Sequence, residues 1–133
     1  MAATKYKQQG NCHELAIALK ITELGGAVSW PYGDGQAYDL ITDFKGVINR
    51  VQVKGTYTVR DCGSSYVNLA KGSRRNDSYD SSDCDVMIVQ TPLGRYVIPI
   101  EYLDLKTLFV WPIGTRPTQP HYEPYKEAWH LLK

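Results

Sequence analysis

The run Val51-Gln52-Val53-Lys54 is the feature that most constrains how this chain can fold. Successive side chains of an extended strand point to opposite faces, so the two valines face one layer while Gln52 and Lys54 face the other. The valines are typical core residues. The run therefore predicts a strand that packs one face in a hydrophobic core and holds two polar side chains rigidly on the other.

A hairpin brings a third polar side chain near this pair. Strands are predicted over residues 37–42 and 47–55, joined by a turn between them. If the loop has two or four residues, Asp39 lies opposite Gln52 or Arg50 and shares the face of the polar pair. A loop of three residues would turn Asp39 to the other face. The convergence of the three side chains therefore depends on the length of the loop.

The remaining segments predict a mixed α/β or α+β domain around a central sheet. The first helix has a wide apolar side that includes Leu15, Ile17, Ala18, Leu19, Ile21 and Leu24. The predicted elements are a helix over 11–24 ended by Gly25-Gly26, strands over 27–30, 37–42, 47–55, 86–90 and 96–100, a hairpin over 56–69, a short helix over 101–108 and a closing helix over 124–132. Residues 70–82 contain almost no apolar side chains and predict a loop.

Length and composition predict one intracellular domain. The 133 residues, of which 43% are hydrophobic, suit a single globular domain over 1–133. No stretch approaches the ~18 continuous apolar residues of a membrane span, and the polar residues 1–9 lack a signal-peptide core. Neither the three cysteines (Cys12, Cys62, Cys84) nor the three histidines (His13, His121, His130) show metal-ligand spacing, so we expect reduced thiols and no structural zinc.

Positive charge is concentrated in one part of the chain. Residues 45–75 contain a single acid, Asp61, and seven basic residues: Lys45, Arg50, Lys54, Arg60, Lys71, Arg74 and Arg75. The rest of the chain is mildly acidic. A basic segment that overlaps the polar strand is typical of a surface that binds nucleic acid, although a solvated face has the same composition.

The polar set has the chemistry of metal-dependent phosphodiester hydrolysis. Mg²⁺ prefers oxygen ligands, which Asp39 and a second oxygen donor can supply. Lys54 can position or deprotonate a water and offset the charge that develops on the phosphate. Glu14 has two interpretations, because Asn11-Cys12-His13-Glu14 matches a helix capping box, while the inward stripe that Glu14 heads would carry its carboxylate to the edge of the same site.

Several short motifs occur in order along the chain. They are Gly10-xxx-Glu14, Pro31-Tyr32-Gly33-Asp34, Tyr38-Asp39-Leu40-Ile41 and Val51-Gln52-Val53-Lys54-Gly55, followed by a strand-turn-strand that ends at Tyr96-Val97-Ile98-Pro99. Together they resemble the PD-(D/E)XK nuclease superfamily, in particular its group I intron-encoded homing endonucleases and, more distantly, the archaeal Holliday junction resolvases. Tyr38 stands where the superfamily's name has proline. Gln52 stands where most members have Asp or Glu. Because glutamine brings no negative charge, this departure argues against binding of two metal ions.

The resemblance implies a restriction endonuclease-like core, in which a central mixed β-sheet is flanked by helices. It implies a catalytic set of Glu14, Asp39, Gln52 and Lys54, with Mg²⁺ bound by Asp39, Gln52 and Glu14. We expect Mn²⁺ to substitute for Mg²⁺, and Ca²⁺ to bind without supporting cleavage. The implied protein is a homodimer or homotetramer that cuts both strands of double-stranded DNA, in the cytoplasm or nucleoid of a prokaryotic or phage-infected cell.

The hypothesis with the most support from these residues is a site-specific homing endonuclease. A Holliday junction resolvase, a restriction or repair nuclease, a catalytically inactive DNA-binding module and a protein-interaction domain are the alternatives. For sequence reading, the predicted hairpin over 56–69 offers Arg60, Ser64, Ser65, Tyr66 and Asn68 to the major groove. Arg50 is also expected to bind DNA, and three further basic side chains are expected to bind it through phosphates: Lys71, Arg74 and Arg75.

Overall fold

A five-stranded mixed sheet forms the centre of the protein in a computed structural model that describes residues 2–72 and 77–133. The elements are α1 (Ala2–Glu23), β1 (Ala27–Ser29), β2 (Leu40–Phe44), β3 (Val47–Gly55), β4 (Ser65–Asn68), β5 (Val86–Thr91), β6 (Gly94–Pro99) and β7 (Thr107–Val110). The sheet order is β1-β2-β3-β5-β6, and every neighbouring pair is antiparallel except β3 and β5. Strands β4 and β7 form a separate two-stranded ribbon. The predicted mixed α/β class is confirmed.

The β2–β3 hairpin has a two-residue turn. Phe44 pairs with Val47, and the intervening residues Lys45 and Gly46 have positive φ angles of 52° and 90°. Such a turn matches the twist of the two strands, and glycine takes its second position without strain. Loops of three or four residues are excluded, because Asp43 and Phe44 belong to β2 and Phe44 pairs with Val47. Strand β3 has the bounds that the sequence predicts, whereas β2 begins three residues later than predicted.

The two faces of the sheet pack against different partners. On one face, Val51 and Val53 of β3 lie in a core cluster with Ile17 and Ile21 of α1 and with Trp129. The opposite face packs against the ribbon, in a second cluster formed by Val67, Leu69, Met87, Val89, Tyr96, Ile98, Leu108, Val110 and Tyr122. Each large side chain that is removed from water contributes about 1.5–3 kcal/mol. These two cores hold β3 in the middle of the protein.

Helix α1 begins nine residues earlier than the sequence predicts. The capping-box interpretation is therefore wrong, because Asn11 lies in the middle of the helix and not at its start. Residues 2–10 are mainly alanine, lysine and glutamine, which favour helix without giving an apolar stripe that marks one. The apolar side is also narrower than predicted, since Leu15 and Leu19 are 62% and 61% exposed. The helix ends as predicted, with Gly25 donating to the carbonyl of Thr22.

Three predicted elements in the second half of the chain are wrong. Residues 56–60 form no strand, and β4 pairs with the distant strand β7 and not within a hairpin over 56–69. The short helix predicted over 101–108 is instead one 3-10 turn, Ile100–Tyr102, followed by β7. The closing helix is two 3-10 turns, Glu123–Tyr125 and Trp129–Leu132. Between them Glu127 has a φ of 52°, and its N–H donates to Arg95 of β6.

The helices and the cysteines can be compared with the sequence predictions. Within the described part of the chain, no helix is both long and apolar enough to cross a membrane. The three cysteines are free, with Cys12 and Cys62 exposed and Cys84 buried.

Candidate active site

A cleft of about 300 Å³ lies between the middle of α1 and the adjoining ends of β2 and β3. It is lined by Tyr6, Gln9, Gly10, His13, Glu14, Asp39, Gln52, Val53, Lys54 and Gly55. All four side chains that the sequence predicts to be catalytic therefore line one cleft. Helix α1 contributes Glu14 from its centre, and the hairpin contributes the other three.

Asp39 is fixed to β3 at two points. Its backbone N–H donates to the carbonyl of Val51 at 2.8 Å, and its carboxylate Oδ2 accepts the N–H of Val53 at 2.8 Å. These bonds continue the hairpin register by one residue beyond Leu40, which pairs with Val51. Asp39 therefore lies opposite Gln52, as the odd register requires. Within the described structure, the second carboxylate oxygen, Oδ1, has no hydrogen-bond partner and is free to bind a ligand.

Lys54 is held by groups from the segment that follows β4. Its Nζ donates to the carbonyl of Ala70 at 3.4 Å and lies 5.3 Å from the ring centroid of Tyr79. Burial lowers the pKa of Lys54, and the neighbouring carboxylate of Asp39 opposes this shift. The amine is thus confined beside Asp39 at the edge of the cleft.

Gln52 is the most buried of the four side chains, with 9% of its surface exposed. Its amide Nε2 donates to the carbonyl of Val53 at 3.4 Å. The amide oxygen of Gln52 has no hydrogen-bond partner among the described residues, so it is available to bind a ligand. Gln52 thus supplies an oxygen donor without adding negative charge.

The charge of Asp39 disfavours ionisation of Glu14 across the cleft. The pKa of Glu14 is raised to about 7, first by burial and then by the charge of Asp39. Burial also raises the pKa of Asp39, against the N–H of Val53 and the charge of Lys54, which lower it. A cation bound between the two acids would favour the ionised form of both.

This donor set fits a divalent cation with a preference for oxygen. Among the described residues, no group of three or more His, Cys, Asp or Glu side chains is arranged to hold a metal. The cleft instead combines two carboxylates with one amide oxygen, and Mg²⁺ commonly takes only one or two carboxylates plus water and phosphate. A bound cation would also remove the repulsion between Glu14 and Asp39.

His13 and Gly55 are parts of the cleft that the sequence analysis did not single out. His13 is buried, stacks on Tyr57 with ring centroids 4.2 Å apart, and contacts Gln90 Nε2 through its Nδ1 at 3.2 Å. A Cβ at Gly55 would lie 2.7 Å from that Nδ1. The sequence signal that could have identified them is adjacency, because His13 directly precedes Glu14 and Gly55 directly follows Lys54.

The basic side chains expected to bind DNA have different environments. Arg50 is engaged with Asp85, with NH2 3.0 Å from its Oδ1, and donates to the carbonyls of Ser81 and Ser82. Lys71 pairs with Asp83 at 2.6 Å. Arg74 and Arg75 lie outside the described residues.

The residues expected to read bases are also divided. Ser64 and Ser65 are fully buried, and the Ser65 hydroxyl donates to the carbonyl of Thr58. Arg60 and Asn68 are exposed, and Tyr66 is half-buried. The structure therefore leaves Arg60, Tyr66 and Asn68 accessible from solvent, while the two serines contribute to packing.

Comparisons with known proteins agree with this fold. The sequence matches the PD-(D/E)XK endonuclease family over residues 4–131. A solved structure of a bacterial homing endonuclease, I-Ssp6803I, superposes with a TM-score of 0.77 at 26% sequence identity, over 95% of this chain and 89% of that chain. A search of curated proteins finds no match. The matched region includes every residue of the cleft and both sheets.

Proposed function

Because the chain belongs to the PD-(D/E)XK endonuclease family and is a DNA endonuclease, we propose that it is a Mg²⁺-dependent, site-specific enzyme of the homing type. Nucleases of this family use divalent metal ions, and the proposal narrows the metal to Mg²⁺. In this proposal Glu14, Asp39, Gln52 and Lys54 form the active site. The observation that carries it is the pairing of two mutually repelling carboxylates with a confined lysine in one cleft.

Glu14, Asp39 and Gln52 would hold the metal through oxygen atoms. The chemistry that the bound ion supplies is neutralisation of charge on the scissile phosphate. Asp39 presents its free Oδ1 while Oδ2 stays bonded to the N–H of Val53, so its orientation is fixed before substrate binds. The amide of Gln52 keeps the site less negative than a third carboxylate would, which favours approach of a phosphate.

Lys54 acts on the reacting groups in this proposal. Its ammonium hydrogen-bonds the attacking water and offsets the negative charge that grows on the phosphate as the P–O bond breaks. The carbonyl of Ala70 and the ring of Tyr79 limit the movement of Nζ, so little reorganisation is needed during the reaction. Burial strengthens this electrostatic contribution because water screens it less.

Cleavage of both strands requires more than one cleft, and we propose assembly into homodimers or homotetramers inside the cell. Leu15 and Leu19 support this, because their exposed side chains lie on the outer side of α1 and Leu15 borders a shallow depression with Trp30. Light scattering of the purified protein tests the assembly. A monomer at micromolar concentration with full double-strand cleavage would contradict it.

Cleavage assays on Lys54→Ala test the active site. Plasmid and genomic DNA are incubated with Mg²⁺, Mn²⁺ or Ca²⁺, and the cut ends are sequenced. We expect discrete sites with Mg²⁺ and Mn²⁺, binding without cleavage with Ca²⁺, and loss of cutting in Lys54→Ala. Lys133→Ala is the matched control, because it removes the same charge beside the Phe44 ring at the other end of β3. Full activity of Lys54→Ala, or cutting in EDTA, would contradict the assignment, and preferential cutting of four-way junctions would identify a resolvase.

A further inference from the structure

The outer face of the β4–β7 ribbon carries a row of aromatic rings. The inner face is core, with Val67 and Leu108 buried against the sheet. On the outer face, Tyr66 pairs in register with Phe109, with ring centroids 6.2 Å apart, and Trp111 follows 6.0 Å from Phe109. We refer to Tyr66, Phe109 and Trp111 as the aromatic row.

Two arginines from distant parts of the sequence stack on this row. The guanidinium carbon of Arg60 lies 5.3 Å from the Tyr66 centroid and 5.4 Å from the Phe109 centroid. That of Arg116 lies 5.5 Å from Phe109 and 4.5 Å from Trp111. Two like charges therefore share the Phe109 ring. Stacking restricts each side chain while leaving its N–H groups directed to other partners.

No acid neutralises these two charges in the described structure. Arg60 and Arg116 are both exposed. Neither makes a salt bridge or a side-chain hydrogen bond with the residues that the structure describes. Arg50 and Lys71 differ, since each is paired with an aspartate. The aromatic row thus presents two oriented guanidinium groups with unused donors, the pattern expected of a site for an anionic ligand.

The ribbon runs directly from the proposed active site. The carbonyl of Ala70, just beyond β4, accepts Lys54 Nζ, and the N–H of Ala70 donates to the side chain of Asn68 at the end of β4. Tyr66 precedes Asn68 by two residues in β4, a distance of about 7 Å. The end of β4 therefore adjoins the cleft, and the aromatic row begins two residues away from that end.

We propose that Arg60 and Arg116 bind backbone phosphates of the duplex beside the cleavage point. The inference rests on the proposed function, because it takes DNA in the cleft as its starting point. It assigns Arg60 to the backbone instead of base edges, and it adds Arg116, which lies far from the basic segment of the sequence. DNA carries one negative charge per ~1.7 Å of helix axis when both strands are counted, so a duplex beside the ribbon offers several phosphates to these two groups.

The salt dependence of duplex binding tests this assignment without knowledge of the target site. Arg60→Ala, Arg116→Ala, the double variant, Lys133→Ala and wild type are titrated into a random-sequence duplex in EDTA at several KCl concentrations. Each lost phosphate contact should reduce the slope of log Kd against log salt by about 0.9. We expect that reduction in each single arginine variant for every subunit that binds the duplex, about 1.8 for a dimer, and about twice that in the double variant. Lys133→Ala, which removes an equal charge from another aromatic ring, should keep the wild-type slope.

Two further results separate this inference from the proposed function. If the arginine variants keep the slope of Lys133→Ala while wild type cuts DNA, the phosphate contacts are refuted and the nuclease assignment stands. If the slopes fall as expected but no DNA is cut, the nuclease assignment fails alone. Trp111 emission gives a readout on the unmodified arginines, because duplex bound at Arg116 should change a component that is missing from Trp111→Phe. Equal emission changes in wild type and Trp111→Phe would also refute the contacts.

Discussion

Replacing Glu14 with glutamine should stabilise the metal-free protein at neutral and alkaline pH. Burial and the charge of Asp39 raise the Glu14 pKa from 4.5 to about 7. The folded protein therefore holds this proton more tightly than the unfolded chain, so stability falls as pH rises from about 4.5 to 7. Above pH 7 Glu14 is ionised in the folded protein, and the full loss of stability caused by its buried charge is present. Glutamine keeps the shape of the side chain and has no charge to bury.

The magnitude follows from the size of the shift. At about 1.4 kcal/mol per pKa unit, the change corresponds to at most about 3.5 kcal/mol. Glu14 is only half-buried, so solvent screening reduces the expected gain to about 1–2 kcal/mol. In a domain of this length, 1 kcal/mol shifts Tm by about 4 °C. We therefore expect Glu14→Gln to melt about 4–8 °C above wild type at pH 8 in EDTA, and close to wild type at pH 5.

Calorimetry or circular dichroism at both pH values measures this difference. Glu101→Gln is the control, because it removes one carboxylate from an exposed position. Comparison of variants is needed because burial lowers the pKa of His13, whose contribution to stability rises with pH in an overlapping range. Added Mg²⁺ should stabilise wild type more than Glu14→Gln. A Glu14→Gln variant that melts at or below wild type at pH 8 would refute the reasoning.

Three other substitutions test the site and the core. Asp39→Asn should lower the pKa of Glu14 from about 7, because it removes a charge that raises it, and carboxyl NMR titration measures the shift; an unchanged Glu14 pKa would place the two acids too far apart to interact. Gly55→Ala would place a methyl 2.7 Å from His13 Nδ1 and should cost about 1–3 kcal/mol in urea denaturation, so an unchanged midpoint would show that the contact yields easily. Trp129→Ala removes a buried ring and should cost about 3–5 kcal/mol, and a loss below 1 kcal/mol would contradict its core position.

The hairpin that carries the candidate site was predictable because its determinants are local. Alternation in β3 separates Val51 and Val53 from Gln52 and Lys54, and a short turn sets the position of Asp39. Strand period and turn geometry operate over a few residues, so a single sequence is sufficient to apply them. The burial of Gln52, by contrast, depends on packing that no local pattern specifies.

The parts that were wrong depend on contacts between distant segments. Strand β4 pairs with β7, about forty residues later, and nothing in residues 56–69 indicates that partner. The start of α1 lacks an apolar stripe, since the first turns of the helix extend beyond the core. Arg116 joins Arg60 only because the ribbon brings Phe109 beside Tyr66. Pattern reasoning cannot assemble a surface from residues that separate chain segments contribute.

The Lys45-Gly46 turn limits how this protein can evolve. Exposed turns usually tolerate insertions and deletions, and this one lies at the far end of β3 from the cleft. One added residue, however, would turn Asp39 away from its partners and would also turn Leu40 and Phe44 out of the core. Natural variants of this turn are therefore restricted in two ways: Gly46 is required by its positive φ, and a change in length by an odd number would remove both the active site and part of the core.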